Sequence, residues 1–105
     1  MNGRKSEVVA FLESVKSRPK FYVATFDFEL LRTLVDGFRL GCFAALEHRL
    51  QDDYAQTFSE VVRDRDWEPM TIHFFDQMFQ KGLSPEEVFE EMMDIEIIVW
   101  KRLID

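Results

Sequence analysis

The sequence predicts a small all-α domain, a compact bundle of about five helices with short connections. Three observations carry this. Apolar residues recur at helical spacing almost everywhere along the chain. The only segment with β character, Lys20 to Phe26, has no second strand to pair with, and an isolated strand is not stable. The composition, 47% hydrophobic with eleven phenylalanines, supplies ample core for one domain at 105 residues and lies far from the signature of disorder.

Taken in order, the first helix spans about Ser6 to Lys16, with Val8, Phe11, Leu12 and Val15 on one face; Pro19 ends it. Lys20 to Phe26 is expected as an extended connector packed on the core. A long second helix begins near Asp27, a good N-cap, and turns Leu31, Leu34, Val35, Phe38, Cys42, Ala45 and Leu46 inward. Gly37 and Gly41 lie one turn apart in it. Each costs about 1 kcal/mol of helix propensity relative to alanine, so the close approach of another element over that smooth patch is expected. A third helix covers roughly Asp53 to Arg63, with Tyr54, Phe58, Val61 and Val62 buried. Asp64 to Pro69 forms a loop. A fourth helix runs from about Met70 to Gln80, closed by Gly82 at C′ with Leu83 folding back on Met78. The fifth has the clearest start: Ser84 at the N-cap, Pro85 at N1 and Glu87 at N3 make a capping box. Val88, Met92, Ile95, Val99 and Leu103 form its buried side.

Charge divides the chain. Residues 1–50 carry eight Lys/Arg and six Asp/Glu; residues 51–105 carry five and fourteen. The halves are therefore +2 and −9, giving the net −7 of the whole. The acidic half repels nucleic acid and anionic membranes and attracts basic partners. No apolar run is long enough to span a bilayer, since Arg32, Asp36 and Arg39 interrupt the best candidate. The N-terminal stretch has no apolar core after Arg4 and Lys5, so a secretory signal is not expected. A single cysteine, Cys42, allows no internal disulfide, and the expected location is the cytoplasm.

A catalytic or metal site is not expected. Cys42 falls on an apolar stripe, where thiols are usually inert. His48 with Asp52 and His73 with Asp76 are pairs at helical spacing, but a metal needs more convergent ligands. The four glycines form no phosphate-binding loop, so no cofactor is expected. The strongest signal is the acidic helix near the C-terminus. Glu86, Glu90 and Asp94 recur every four residues, Glu87 and Glu91 form the neighbouring row, and residues 82 to 100 contain no Lys or Arg. The helix dipole offsets Glu86 and Glu87 only; Glu90, Glu91 and Asp94 have no such compensation within their own helix. Trp67, between Asp66 and Glu68, could anchor an interface rimmed by carboxylates. The expected partner-binding set is Asp64, Asp66, Trp67, Glu87, Glu90, Glu91 and Asp94.

The stretch Lys16-Ser17-Arg18-Pro19-Lys20-Phe21-Tyr22-Val23, followed by Leu31 and Gly37-Phe38, resembles a pattern carried by many short bacterial proteins: K-x-R-P, an aromatic-Tyr-aliphatic step, a polar turn, and a helix ending in Gly plus an aromatic. Several of these are immunity proteins of toxin–immunity systems, including contact-dependent growth inhibition. The resemblance covers about a quarter of the chain, and Ala24 stands where such proteins usually have Gly. It implies a toxin domain as partner and carries over no catalytic residue. Many secreted toxin domains are basic nucleases, and an acidic inhibitor can present carboxylates where phosphates would sit. The competing expectation is a helical regulatory or adaptor protein that docks a helix, or itself, through Met70, Phe74, Met92, Met93 and Trp100.

Overall fold

The computed structural model describes the backbone of residues 2–46, 49–69 and 74–104, and the side chains of 6–46, 49–69 and 74–103. The described residues form six helices and no strand: α1 (Asn2–Ser17), α2 (Pro19–Tyr22), α3 (Phe28–Ala45), α4 (Leu50–Asp64), α5 (Asp76–Gln80) and α6 (Pro85–Ile104). The all-α prediction holds. His48, His73 and Met70 lie outside the described residues, as does the first turn, 70–73, expected for the fourth helix; Phe74 and Phe75 form a turn, and the described helix starts only at Asp76.

The Lys20–Phe26 segment departs from expectation. Proline at N1 starts the single helical turn α2, because its fixed φ suits that position and its missing N–H would be unpaired there anyway. The chain becomes extended only at Val23. Tyr22 ties the turn to α1 by a 2.7 Å hydroxyl–hydroxyl hydrogen bond with Ser14, and its ring meets Phe11 edge-on.

Most helix ends follow the sequence. Asp27 accepts a hydrogen bond from the Leu30 N–H at 3.1 Å and so caps α3. The capping box of α6 is complete: the Ser84 N–H donates to Glu87 Oε1 at 2.8 Å, and the Glu87 N–H donates to Ser84 Oγ at 3.2 Å. Gly82, at φ 93°, ends α5 in a Schellman motif, with Leu83 N–H bonded to the Met78 carbonyl and Gly82 N–H to that of Phe79. The end of α4 repeats this geometry without glycine. Asp66 takes φ 67°, its N–H bonds the Arg63 carbonyl, and the Trp67 N–H bonds the Val62 carbonyl at 2.9 Å. The motif folds Trp67 back over the helix it follows, so its ring is half-buried rather than free at a loop tip.

At the centre lies α6. It packs against α1, α3, α4 and α5. Val88, Phe89, Met92, Met93, Ile95, Ile97, Val99 and Trp100 are all buried, more than a single stripe. Their partners include Val8, Leu12 and Val15 of α1, Leu31 and Val35 of α3, and Tyr54, Val61 and Val62 of α4. Phe38 of α3 stacks tilted on Phe11 of α1 at 4.4 Å. The fold is flat, with principal extents of 39 × 31 × 18 Å. Its thin dimension is under two helix diameters, so α3 keeps an outer face in solvent. Ala45, expected inward, is on that exposed side.

Candidate functional site

One acid of the C-terminal helix is not on the surface at all. Glu96 is 2% exposed. Its carboxylate accepts hydrogen bonds from Arg39 Nε and Nη2 at 3.0 Å each, Tyr54 OH at 2.6 Å and Trp100 Nε1 at 3.0 Å. Arg39 also donates to Asp36 at 3.1 Å, and its guanidinium lies 5.1 Å from the Tyr54 ring centre. Burial alone would lower the Arg39 pKa, but the bonds and charge of Glu96 outweigh it and hold the guanidinium charged. Burial, reinforced by the Glu96 charge, pushes the Tyr54 phenol well up. The same two causes raise the Cys42 thiol, which keeps it protonated and weakly nucleophilic at neutral pH. The sequence carried a signal for this buried acid. Between Met92 and Trp100 the helix is apolar nearly all round, and a carboxylate inside such a run requires a cation from elsewhere.

The acids expected to bind a partner divide into two groups. In the first, cations from other helices supply what α6 itself lacks. Glu91 receives Arg65 Nε and Nη2, each at 2.7 Å, and Trp67 Nε1 at 2.9 Å. Asp94 pairs with Lys16 at 2.6 Å and sits 3.7 Å from Arg65. Asp64, on α4, is paired the other way round, with Arg102 of α6 at 3.1 Å. The side chain of Glu87 is engaged in its capping box. In the second group, Asp66 and Glu90 are exposed and form no ion pair with another described residue. Glu68 and Glu86, outside the expected set, are equally exposed.

The two stretches do meet. The indole bond to Glu91 lays the Asp66–Glu68 loop on the second turn of α6. Lys81 stands 4.9 Å from the Trp67 ring centre, and Gln77 pins both backbone groups of Glu68 at 2.9 Å. The result is a cross-braced end of the bundle. Its inner carboxylates are neutralised, while Asp66, Glu68, Glu86 and Glu90 project outward. Beside it, Glu13, Lys16, Arg65, Glu90, Asp94 and Lys101 line a mixed-charge groove of about 550 Å³.

The Glu91 brace yields a pH signature. The Arg65 hydrogen bonds, helped by Trp67 and the Arg65 charge, hold the Glu91 carboxyl below its ordinary value despite burial. A carboxyl depressed in the folded state contributes stability above its unfolded pKa, and that contribution is lost as pH falls through the folded value. Glu91→Gln is expected to cost about 1–2 kcal/mol at pH 7, the lower part of the range for charged hydrogen bonds because Arg65 is partly solvated. Urea titrations should show the gap between wild type and variant narrowing as pH falls below about 4.5; a gap that does not narrow on acidification would rule out the brace as its source.

Met92, Met93 and Trp100, expected as an adaptor surface, are buried, and Phe74 is half-buried. The heptad-like spacing that places them on one helix also turns them into the core. Among the described residues no cluster of His, Cys, Asp and Glu could hold a metal ion, and no helix is long and apolar enough to cross a membrane. The fold and this surface define the class, an all-α bundle with a braced acidic end. No family model, curated protein or solved structure matches the chain.

Proposed function

We propose that this protein is an immunity protein that binds and neutralises a basic toxin domain, a nuclease being the best-fitting kind, through the acidic end of its bundle. One observation carries the reading. Asp66, Glu68, Glu86 and Glu90 remain exposed and form no ion pair with another described residue, beside a set of acids whose charges are already neutralised. A purely solubilising surface would intersperse both signs. The ion pairs of Glu91, Asp94 and Asp64 then serve to fix the loop and the helix relative to one another. A rigid display of carboxylates loses little entropy on binding and steers a basic partner at long range. Trp67 supports this face as a positioned wall, not as a free anchor.

The test is co-expression with the C-terminal toxin domain of a neighbouring secreted protein, followed by affinity measurements at low and high salt. Growth rescue is expected, with tight binding that weakens at least about tenfold as salt rises from roughly 0.05 to 0.5 M. Glu68→Lys/Glu90→Lys should weaken binding by a similar factor while leaving the helical spectrum and unfolding midpoint unchanged, since both side chains are exposed and Glu68 is held through its backbone. Unaltered affinity in that variant would sink the surface assignment. Absence of both rescue and binding would sink the immunity reading for that toxin.

A further inference from the structure

The outer face of α3 is apolar, and no described residue covers it. Leu30 is 56% and Leu40 62% exposed. Thr33, Gly37, Gly41 and Ala44 lie exposed between and beyond them, with half-buried Leu34 completing the row. Positions 30, 33, 34, 37, 40, 41 and 44 follow the helical repeat, so they form one continuous stripe along an 18-residue helix. A Cβ placed on Gly37 or Gly41 would meet no atom within 4 Å. The two mid-helix glycines are therefore not explained by close packing inside the molecule. Alongside the stripe lies a shallow, mostly apolar groove of about 450 Å³, lined by Val8, Phe38, Gly41, Cys42 and Leu46 with Glu7 its one charged residue.

We infer that this face is a self-association surface, on which α3 of a second copy lies antiparallel across a two-fold axis at Gly37. Charge and shape select that occupant. Although the chain carries −7, α3 carries Glu29, Arg32, Asp36 and Arg39 and is neutral. Two copies therefore approach with least repulsion here, whereas a basic partner has no charge to seek on this helix. The stripe is also self-complementary. A two-fold at Gly37 sets Leu30 against Ala44, Thr33 against Gly41, Leu40 against Leu34 and Gly37 against itself. Large residues mostly meet small ones, the backbones approach where both are bare, and no charged residue meets a like charge. Such reciprocity is the condition for a closed, isologous pair. Two helices of about 27 Å in contact along their length, with the flanking grooves, bury on the order of 1,000 Å², the threshold of a specific interface. The dimer is accordingly weak, with a dissociation constant on the order of 10–100 µM.

This inference does not rest on the toxin partner, and it is measured on the purified protein alone. Sedimentation equilibrium between roughly 1 µM and 1 mM should show the mass rising from 12.5 kDa toward twice that value, with association unchanged or strengthened by salt. Leu40→Glu should weaken association at least about tenfold. Gly37→Ala/Gly41→Ala should do the same, yet raise the unfolding midpoint of the dilute protein, because alanine favours a helix and its Cβ meets nothing in the monomer. A folding defect cannot produce that pair of opposite signs. Gly37→Cys should oxidise to a covalent dimer across the axis. A monomer at every concentration would overturn the proposal and leave the face to a different apolar helix. A dimer indifferent to both α3 variants would overturn it by locating the contact elsewhere.

Discussion

Replacing Glu96 by alanine is expected to cost about 3–5 kcal/mol, a large share of the roughly 5–15 kcal/mol that holds a domain together. The substitution strips the carboxylate that Arg39, Tyr54 and Trp100 all address. It leaves a mostly buried guanidinium beside Asp36 alone, and an indole and a phenol without acceptors. Glu96→Gln should fall between: it keeps an acceptor oxygen for Tyr54 or Trp100 but not the charge that offsets Arg39. The cost belongs to breaking the set, not to lacking it. Arg39→Met/Glu96→Leu removes both charges together and should recover most of the lost stability, because apolar replacements of buried ion pairs are often tolerated. Urea denaturation of the three variants decides the matter. A loss below about 1 kcal/mol in Glu96→Ala would mean that water reaches the site and that Arg39 is not held by it.

The second large effect lies one turn away. Trp100 has no exposed surface and lies near Tyr54 at 5.9 Å and Phe43 at 6.3 Å between ring centres. Trp100→Ala is expected to cost about 3–5 kcal/mol through lost burial and the cavity left behind. Trp100→Phe refills most of the volume and loses only the N–H donor to Glu96; about 1 kcal/mol beyond the smaller ring is expected, since Arg39 and Tyr54 still satisfy the carboxylate. Combined with Glu96→Ala, either change should be strongly non-additive, because both remove the same bond. Equal losses for the alanine and phenylalanine variants would show that the hydrogen bond, not the packing, dominates at this position.

The helical architecture was legible because it is written in local chemistry. Periodic apolar positions gave the buried stripes, and Asp27, Ser84, Glu87 and Gly82 marked the helix ends where the structure places them. What stayed illegible was contributed by another part of the chain. Glu91 and Asp94 look uncompensated when only positions three and four residues away are considered; Arg65 and Lys16 answer them from α4 and α1. Trp67 looks like a loop-tip residue until Asp66 adopts a left-handed backbone that few non-glycine residues take. Glu96 is hidden among six other acids between residue 86 and residue 105, counting only by type, and its burial follows from how α3 and α4 close on α6. The acidic site was thus half visible. Its two segments were identified, but which of its carboxylates face outward was decided by tertiary ion pairing.

The central position of α6 also sets the order of events during synthesis. This helix, the last of the six described, supplies the surface on which α1, α3, α4 and α5 settle. Until translation has passed residue 100, the earlier helices have no common core to join, and their apolar faces remain exposed to chaperones or to one another. The contact between α1 and α6 closes a loop spanning most of the chain, so an all-α fold should nonetheless form more slowly here than in bundles whose neighbours in space are neighbours in sequence.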